Sequence, residues 1–423
     1  MNSYRNSKYQ ATTNIVLCMV LIVMFASCEF SGRGLKTHDF PKPVDTHTKA
    51  IERQEKRSYH TEAGLTADNR FDAARLNNFV QINDSSFLAE IRPENQPVNN
   101  SAWYAFKLWA EDSATRYITL KYDGGKHRYH PKLSDDGENW LRLNDDALIY
   151  DSDSINVTLQ VEIGPDTLWI AGQEIQDTER VHQWWEGLNG QSFVTIDTIG
   201  RSALGRKMLF VELSNGEQKD NDVIVILSRQ HPPEVTGFLA MKAFVESLIR
   251  AKKLEAFLEN HTVLIYPMIN PDGVDMGHWR HNSGGVDLNR DWAYYRQPET
   301  KLVATHLVDW VNELQANVLL GLDFHSTYKD VFYTLDENEI QTKTIPWFRN
   351  QWFAALESKI ENYLTNEKPA GLRTPVTKGW FYSQFGAEGI TYEIGDDTPR
   401  EDIKRIGKIS AEQMIDILMK GNE

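Results

Sequence analysis

The sequence predicts an α/β fold, a mostly parallel mixed sheet flanked by helices, preceded by a small all-β sandwich. The first observation lies after about Glu179, where the apolar runs "DVIVILS", "HTVLIYPM", "NVLLGLDF" and "GITYEIG" alternate with helical stretches such as "GFLAMKAFVESLIRAKKLEAFLE". Strands that are apolar throughout are buried on both faces, which requires covering helices and favours parallel pairing. The second lies between Phe71 and about Ile175. There the short runs "SFLAEIRP", "AWYAFKLWA", "RYITLKY" and "NVTLQVEI" recur between the turn signals "DGG", "DDGENW" and "IGPD", the spacing of a β-sandwich. The third is composition: 41% apolar and 25% charged residues in a chain of 423 leave ample material for more than one core.

The elements divide into residues 1–28, a signal segment ending at Cys28; 29–65, a flexible tether; 66–178, the sandwich; and 179–423, the α/β domain. Arg5 and Lys8 precede the apolar run Ile15 to Phe25, which is too short to span a bilayer comfortably. Cys28 follows Ala26-Ser27 and resembles a bacterial lipobox, which implies an exported protein anchored by lipid to a bacterial membrane. An ordinary signal peptide that happens to contain a cysteine is the plainer reading. Removal of Cys18 with the signal leaves no thiol for catalysis or a disulfide. The tether is polar, with Pro41 and Pro43 and no periodicity. A net charge of −15 argues against a nucleic-acid partner, which needs a basic face. Nothing in the sequence fixes the oligomeric state.

The segment "SRQHPPEVTG" leaves an apolar strand and places His231 and Glu234 around Pro232 and Pro233, just before a helix starting near Val235. Prolines suit the approach to a helix, and the pair could be a surface accident. His325 in "LGLDFHSTYKD" and Glu393 in "GITYEIGDD" fall at the ends of two further strands. Ligands gather beyond the carboxyl ends of strands in such sheets. Two imidazoles and a carboxylate with an open fourth position suit one catalytic Zn2+, and a further carboxylate suits a general base. "NPDG" alone reads as a turn. "GVDLNRDW" carries Asn289 and Arg290, and an arginine can grip a carboxylate with two parallel hydrogen bonds, or simply be a surface residue.

In this order, "IGRSALGRKMLFVEL", "HPPE", "NPDG", "HWRHNSGGVDLNRDW", "DFHS" and "ITYEIGD" resemble zinc carboxypeptidases of the M14 type, from about Phe193 to the C-terminus. Upstream, "RFDAARLNNF", "FLAEIRPE", "AWYAFKL" and "HPKLSDDGENWLRL" are similar to the sandwich of cytosolic-type carboxypeptidases. The resemblance implies that His231, Glu234 and His325 hold zinc and that Glu393 is the general base. It implies that Arg280 polarises the scissile carbonyl, and that Asn289 and Arg290 bind the free C-terminal carboxylate of a peptide substrate. Lys378 aligns with the floor of the pocket for the terminal side chain, where a cation favours acidic termini; an exposed loop lysine is the alternative. The related cytosolic enzymes trim glutamates.

Two departures stand out. Pro232 and Pro233 occupy the place of an arginine found in many members between the first His and the Glu, and no tyrosine aligns with the mobile one of digestive relatives. Three rivals remain at this level: a deacylase of N-acyl amino acids, an amidase on peptidoglycan stem peptides, and an inert surface-binding lipoprotein. An endopeptidase conflicts with the Asn289–Arg290 clamp.

Overall fold

The computed structural model describes residues 34–216, 220–340 and 344–421. Cys28 and the signal segment lie outside the described residues. The first layer pair is built from two sheets. One runs, in spatial order, through Ser58–His60, Leu65–Asp68, Ala105–Ala110, Leu168–Ala171, Lys132–Ser134 and Leu141–Arg142; the other through Asn78–Gln81, Ser86–Ile91, Ala114–Tyr122, Val157–Ile163 and Leu148–Tyr150. Alternation places every second residue inward, so that Phe87, Ala89 and Ile91 meet Ile118, Leu159, Leu65 and Phe106 in one core. Ser86–Ile91 and Ala114–Tyr122 pair in parallel, with Phe87 opposite Ile118.

The third sheet has eight strands in the order Val194–Arg201, Lys207–Leu213, His261–Tyr266, Asp222–Ser228, Asn317–Thr327, Glu388–Gly395, Val331–Leu335 and Glu367–Ala370. The four central strands, from His261–Tyr266 to Glu388–Gly395, are parallel, and antiparallel pairings flank them. The run Val223 to Leu227 shows why the strands read as continuously apolar. Ile224 and Ile226 face one core, beside helices Val235–Ile249, Phe348–Lys359 and Arg400–Lys420. Val223, Val225 and Leu227 face the other, beside Pro298–Leu314 and Thr377–Phe385.

Three differences from the sequence reading have physical reasons. The helical stretch after Val235 is two helices, Val235–Ile249 and Leu254–Phe257. The turn between them swings Leu254, Phe257 and Leu258 into the core, where one continuous helix would carry them past it. The segment expected as a tether is pinned over its described part. Lys42 N donates to Arg373 O at 3.2 Å, Lys49 N to Gly284 O at 2.8 Å and Glu52 N to Glu94 O at 2.6 Å, while Phe40 and Thr46 are buried. Main-chain bonds hold it, so no side-chain period marks it. Finally, sandwich strands begin at Ser58, ahead of the expected residue 66. Among the described residues no helix is long and apolar enough to cross a membrane.

Candidate metal centre and active site

The carboxyl end of Asp222–Ser228 delivers the first two candidate ligands through a tight corner. Arg229 adopts φ +56°, a left-handed conformation held by Nη2 donating to Pro232 O at 2.9 Å. Asn270, in the "NPDG" stretch, closes the corner from the neighbouring strand end. It donates through Nδ2 to Gln230 O at 3.0 Å and caps helix Pro271–Asp275 through Gly273 N at 2.9 Å. Glu234 stands at the N-terminus of Val235–Ile249 but does not cap it, because its carboxylate faces the imidazoles instead. That helix lies hard against the third ligand's strand: a Cβ on Gly237 would sit 2.2 Å from His325 O.

His231, Glu234 and His325 converge, each buried. His231 Nδ1 lies 2.8 Å from Glu234 Oε1, His325 Nδ1 2.6 Å from Glu234 Oε2, and the two Nδ1 atoms 3.2 Å apart. Tetrahedral zinc with bonds of about 2.0–2.1 Å separates neighbouring donors by roughly 3.3 Å. The two imidazole nitrogens match that spacing and the carboxylate reaches both, so the donor set fits the ion in its chemistry. The far nitrogens are engaged as well. His231 Nε2 meets Asp287 Oδ1 at 2.9 Å, and His325 Nε2 meets Asp323 Oδ2 at 2.8 Å. Carboxylates behind histidines fix the tautomer that turns Nδ1 toward a metal. Asp287 and Asp323 were missed from sequence, although each sits two residues before a predicted site residue.

Strand register brings Glu393 to the same place: it pairs with His325 across the parallel strands Asn317–Thr327 and Glu388–Gly395. Glu393 Oε2 is buried without a hydrogen-bond partner. Burial, and then the neighbouring Glu234 carboxylate, push Glu393 up to about 7 against the opposing charges of His325, His231 and Arg280. Arg280 donates through Nε to Asp287 Oδ2 at 2.8 Å, with Nη1 3.9 Å from Glu234. Burial would raise Asp287, but Arg280 and His231 hold it well below the usual carboxylate range.

Asn289 accepts at Oδ1 from Thr377 N at 3.0 Å and Thr377 Oγ1 at 2.8 Å, and its amide nitrogen lies 3.4 Å from His325 Nε2. Arg290 is about one third exposed. Lys378 is neither on a loop nor exposed: it lies in the first turn of Thr377–Phe385, buried, with Nζ donating to Thr334 O at 2.6 Å. All eight described site residues predicted from sequence line one pocket of about 380 Å³. Tyr333, Arg373, Asn99 and Arg128, none of them predicted, line it too. Tyr382, which does not align with the mobile tyrosine of digestive relatives, does not line it. The cations Arg128, Arg280, Arg290, Arg373 and Lys378 make this a positive concavity in an acidic molecule.

The sandwich also braces the loop that carries Arg280. Glu94, fully buried, accepts from Trp279 N at 2.7 Å, Arg280 N at 3.1 Å and His281 N at 2.7 Å. Burial would raise its carboxyl, but His278, His281 and Arg75 hold it below the ordinary value. Trp279 joins the sandwich core.

Fold and site together define a metal-dependent hydrolase with a positively charged pocket. The family model for zinc carboxypeptidase (Peptidase_M14) matches residues 181–413, so the chain belongs to that family and is a zinc-dependent peptide hydrolase by class. An uncharacterized protein of Zymomonas mobilis subsp. mobilis is 24% identical over 355 residues, 79% of this chain and 89% of that one. Cytosolic carboxypeptidase 3 of Bos taurus is 22% identical over 258 residues, 54% of this chain but only 26% of that longer protein. The metallo-carboxypeptidase from Burkholderia cenocepacia superposes with a TM-score of 0.68 at 19% identity, over 84% of this chain and 99% of that one. The metallo-carboxypeptidase from Pseudomonas aeruginosa in complex with (2-guanidinoethylmercapto)succinic acid gives 0.66 at 18%, with the same coverage. At these identities the two structures share the fold.

Proposed function

We propose that the protein is an exopeptidase that removes the C-terminal residue of peptides, using one zinc ion held by His231, Glu234 and His325. The observation that carries this reading is the convergence, in one pocket, of three metal donors, an unpartnered carboxylate and a cationic clamp. When bound, zinc supplies a Lewis acid for the scissile carbonyl and acidifies water. Glu393 accepts a proton from the attacking water at Oε2 and returns it to the departing amine, a task suited to a carboxylate already pushed toward neutrality. Arg280, oriented by Asp287, donates to the carbonyl oxygen as charge develops there. Asn289 and Arg290 bind the substrate's terminal carboxylate, and this contact restricts cleavage to the last bond.

Lys378 gives the pocket a preference for acidic terminal side chains. Its ammonium, buried in the pocket lining, would attract the carboxylate of an Asp or Glu side chain. The protein acts outside the cytoplasm, tethered through lipid on Cys28. The test is a panel of peptides that differ only in their last residue, followed by mass spectrometry on the zinc-loaded chain beginning after Cys28. Release of Glu and Asp ahead of Phe and Lys, with the order lost in Lys378→Met, is the expected result. Equal release of all four refutes the role of Lys378, and no release refutes the exopeptidase.

A further inference from the structure

One wall of the pocket comes from the sandwich, through Asn99 and Arg128. Arg128 is held in place from several sides. Its Nε donates to Asp396 Oδ2 at 2.8 Å, and its Nη1 to Asn100 O at 3.0 Å and Ser101 Oγ at 3.1 Å. The guanidinium lies 4.5 Å above the ring of Tyr328. Nη2 takes no hydrogen-bond partner among the described residues, and it is not one of the polar atoms sealed in the interior. A rigid guanidinium with one uncommitted N–H₂ group therefore borders the pocket.

Its place along the substrate follows from what holds it. Asp396 lies just beyond Glu393 in sequence and Tyr328 just beyond His325, so Arg128 is fastened to the metal end of the pocket. The carboxylate clamp sits behind the His325 ring: Asn289 Nδ2 lies 3.4 Å from His325 Nε2, the nitrogen turned away from Glu234, and Asn289 Oδ1 accepts from Thr377. A peptide with its terminal carboxylate on the clamp and its scissile carbonyl at the metal ligands runs its upstream residues toward Arg128. Pro232 and Pro233 leave that stretch without a donor from the loop between His231 and Glu234.

Resting on the exopeptidase reading, we propose that Arg128 donates through Nη2 to the peptide carbonyl immediately upstream of the scissile bond. This makes the sandwich part of the substrate site. The pairing with Asp396 already compensates the arginine's charge, so a neutral carbonyl suits it better than a second carboxylate. The contact favours substrates of at least three residues over free dipeptides, which have no such carbonyl.

The test compares three substrates with a common C-terminus: a free dipeptide, the tripeptide, and the tripeptide with its upstream amide reduced to CH₂–NH. The native zinc-loaded protein is expected to favour the tripeptide over both others by roughly tenfold or more in kcat/KM. Arg128→Met should abolish that preference while changing the dipeptide rate less than about threefold. Arg128→Lys keeps a cation for Asp396 but loses the forked donor, and gives the same readout should the methionine variant not fold. No preference in the native protein overturns the inference alone, as does a loss in the variants that is equal for every substrate. No release from any substrate by the native protein overturns the exopeptidase reading and this inference with it.

Discussion

Replacing Glu94 by glutamine should uncouple the sandwich from the active site. The carboxylate receives three backbone N–H groups from consecutive residues, Trp279 on Oε2 and both Arg280 and His281 on Oε1. A carboxamide of the same shape can turn its oxygen toward Arg280 and His281, but it then sets an NH₂ against Trp279 N–H. Two buried donors, Trp279 N–H and the new NH₂, are left unpaired and the charge facing His278, His281 and Arg75 is gone, a cost of about 2–4 kcal/mol. Glu94→Ala strands all three donors and should cost about 4–5 kcal/mol. The same loop carries Arg280, whose Nε is fixed 2.8 Å from Asp287. A shift of about 1 Å there is worth up to a hundredfold in rate. Urea unfolding and steady-state kinetics on zinc-loaded Glu94→Gln should therefore show lost stability with kcat down at least about tenfold and KM nearly unchanged. Native-like stability, with kcat/KM within about twofold of the parent, would show that Glu94 does not couple the sandwich to the site.

In the metal-free protein Glu393 and Asp396 should stabilise more as pH falls. Burial lifts Glu393 to about 7 and Asp396 to about 6, so folding takes up protons at these two groups and their contribution grows as pH falls from about 8 toward 5. Burial depresses His127 and His278 to about 4, a contribution of opposite sign. Against its burial penalty, Asp323 and Glu234 hold His325 well above its ordinary value, and its contribution is likewise lost as pH rises. Glu94 has the opposite sign: its depressed carboxyl stabilises above about 4.5 and fails below. In EDTA-treated protein the urea midpoint of the parent should gain on that of Glu393→Gln as pH falls from about 8 toward 5, and a constant difference would contradict this. Asp323→Asn should weaken zinc affinity by about 10–100-fold by releasing the His325 ring, measured by competition with a chelating dye. Arg290→Ala should raise KM about tenfold or more for free-acid peptides without reducing zinc binding.

How much of this was legible in the sequence depended on where each residue's partners lie. Val223 to Leu227 announced a strand because both faces are buried, which leaves no polar position to interrupt the run. His231, Glu234, His325 and Glu393 were recognisable because strand ends of one sheet are where such sheets collect ligands, and ordered motifs surrounded them. Asp287 and Asp323 were harder, since an aspartate near a loop is ordinarily a turn residue; the imidazole that gives Asp287 its role lies 56 positions away. Glu94 and Arg128 were beyond reach, because the groups that tie them to the site, the Trp279–His281 backbone and Asp396, lie in the other half of the molecule. The stretch around Lys42 misled for a related reason: an extended segment held by its own main chain needs no hydrophobic period.

The clamp and the base are tested together with one peptide in two forms, the free acid and its C-terminal amide, given to the zinc-loaded protein and to Glu393→Gln. Release of the last residue from the acid alone, by the native protein alone, is the predicted result. Cleavage of the amide at a comparable rate, or equal activity in the glutamine variant, would contradict both the clamp and the base.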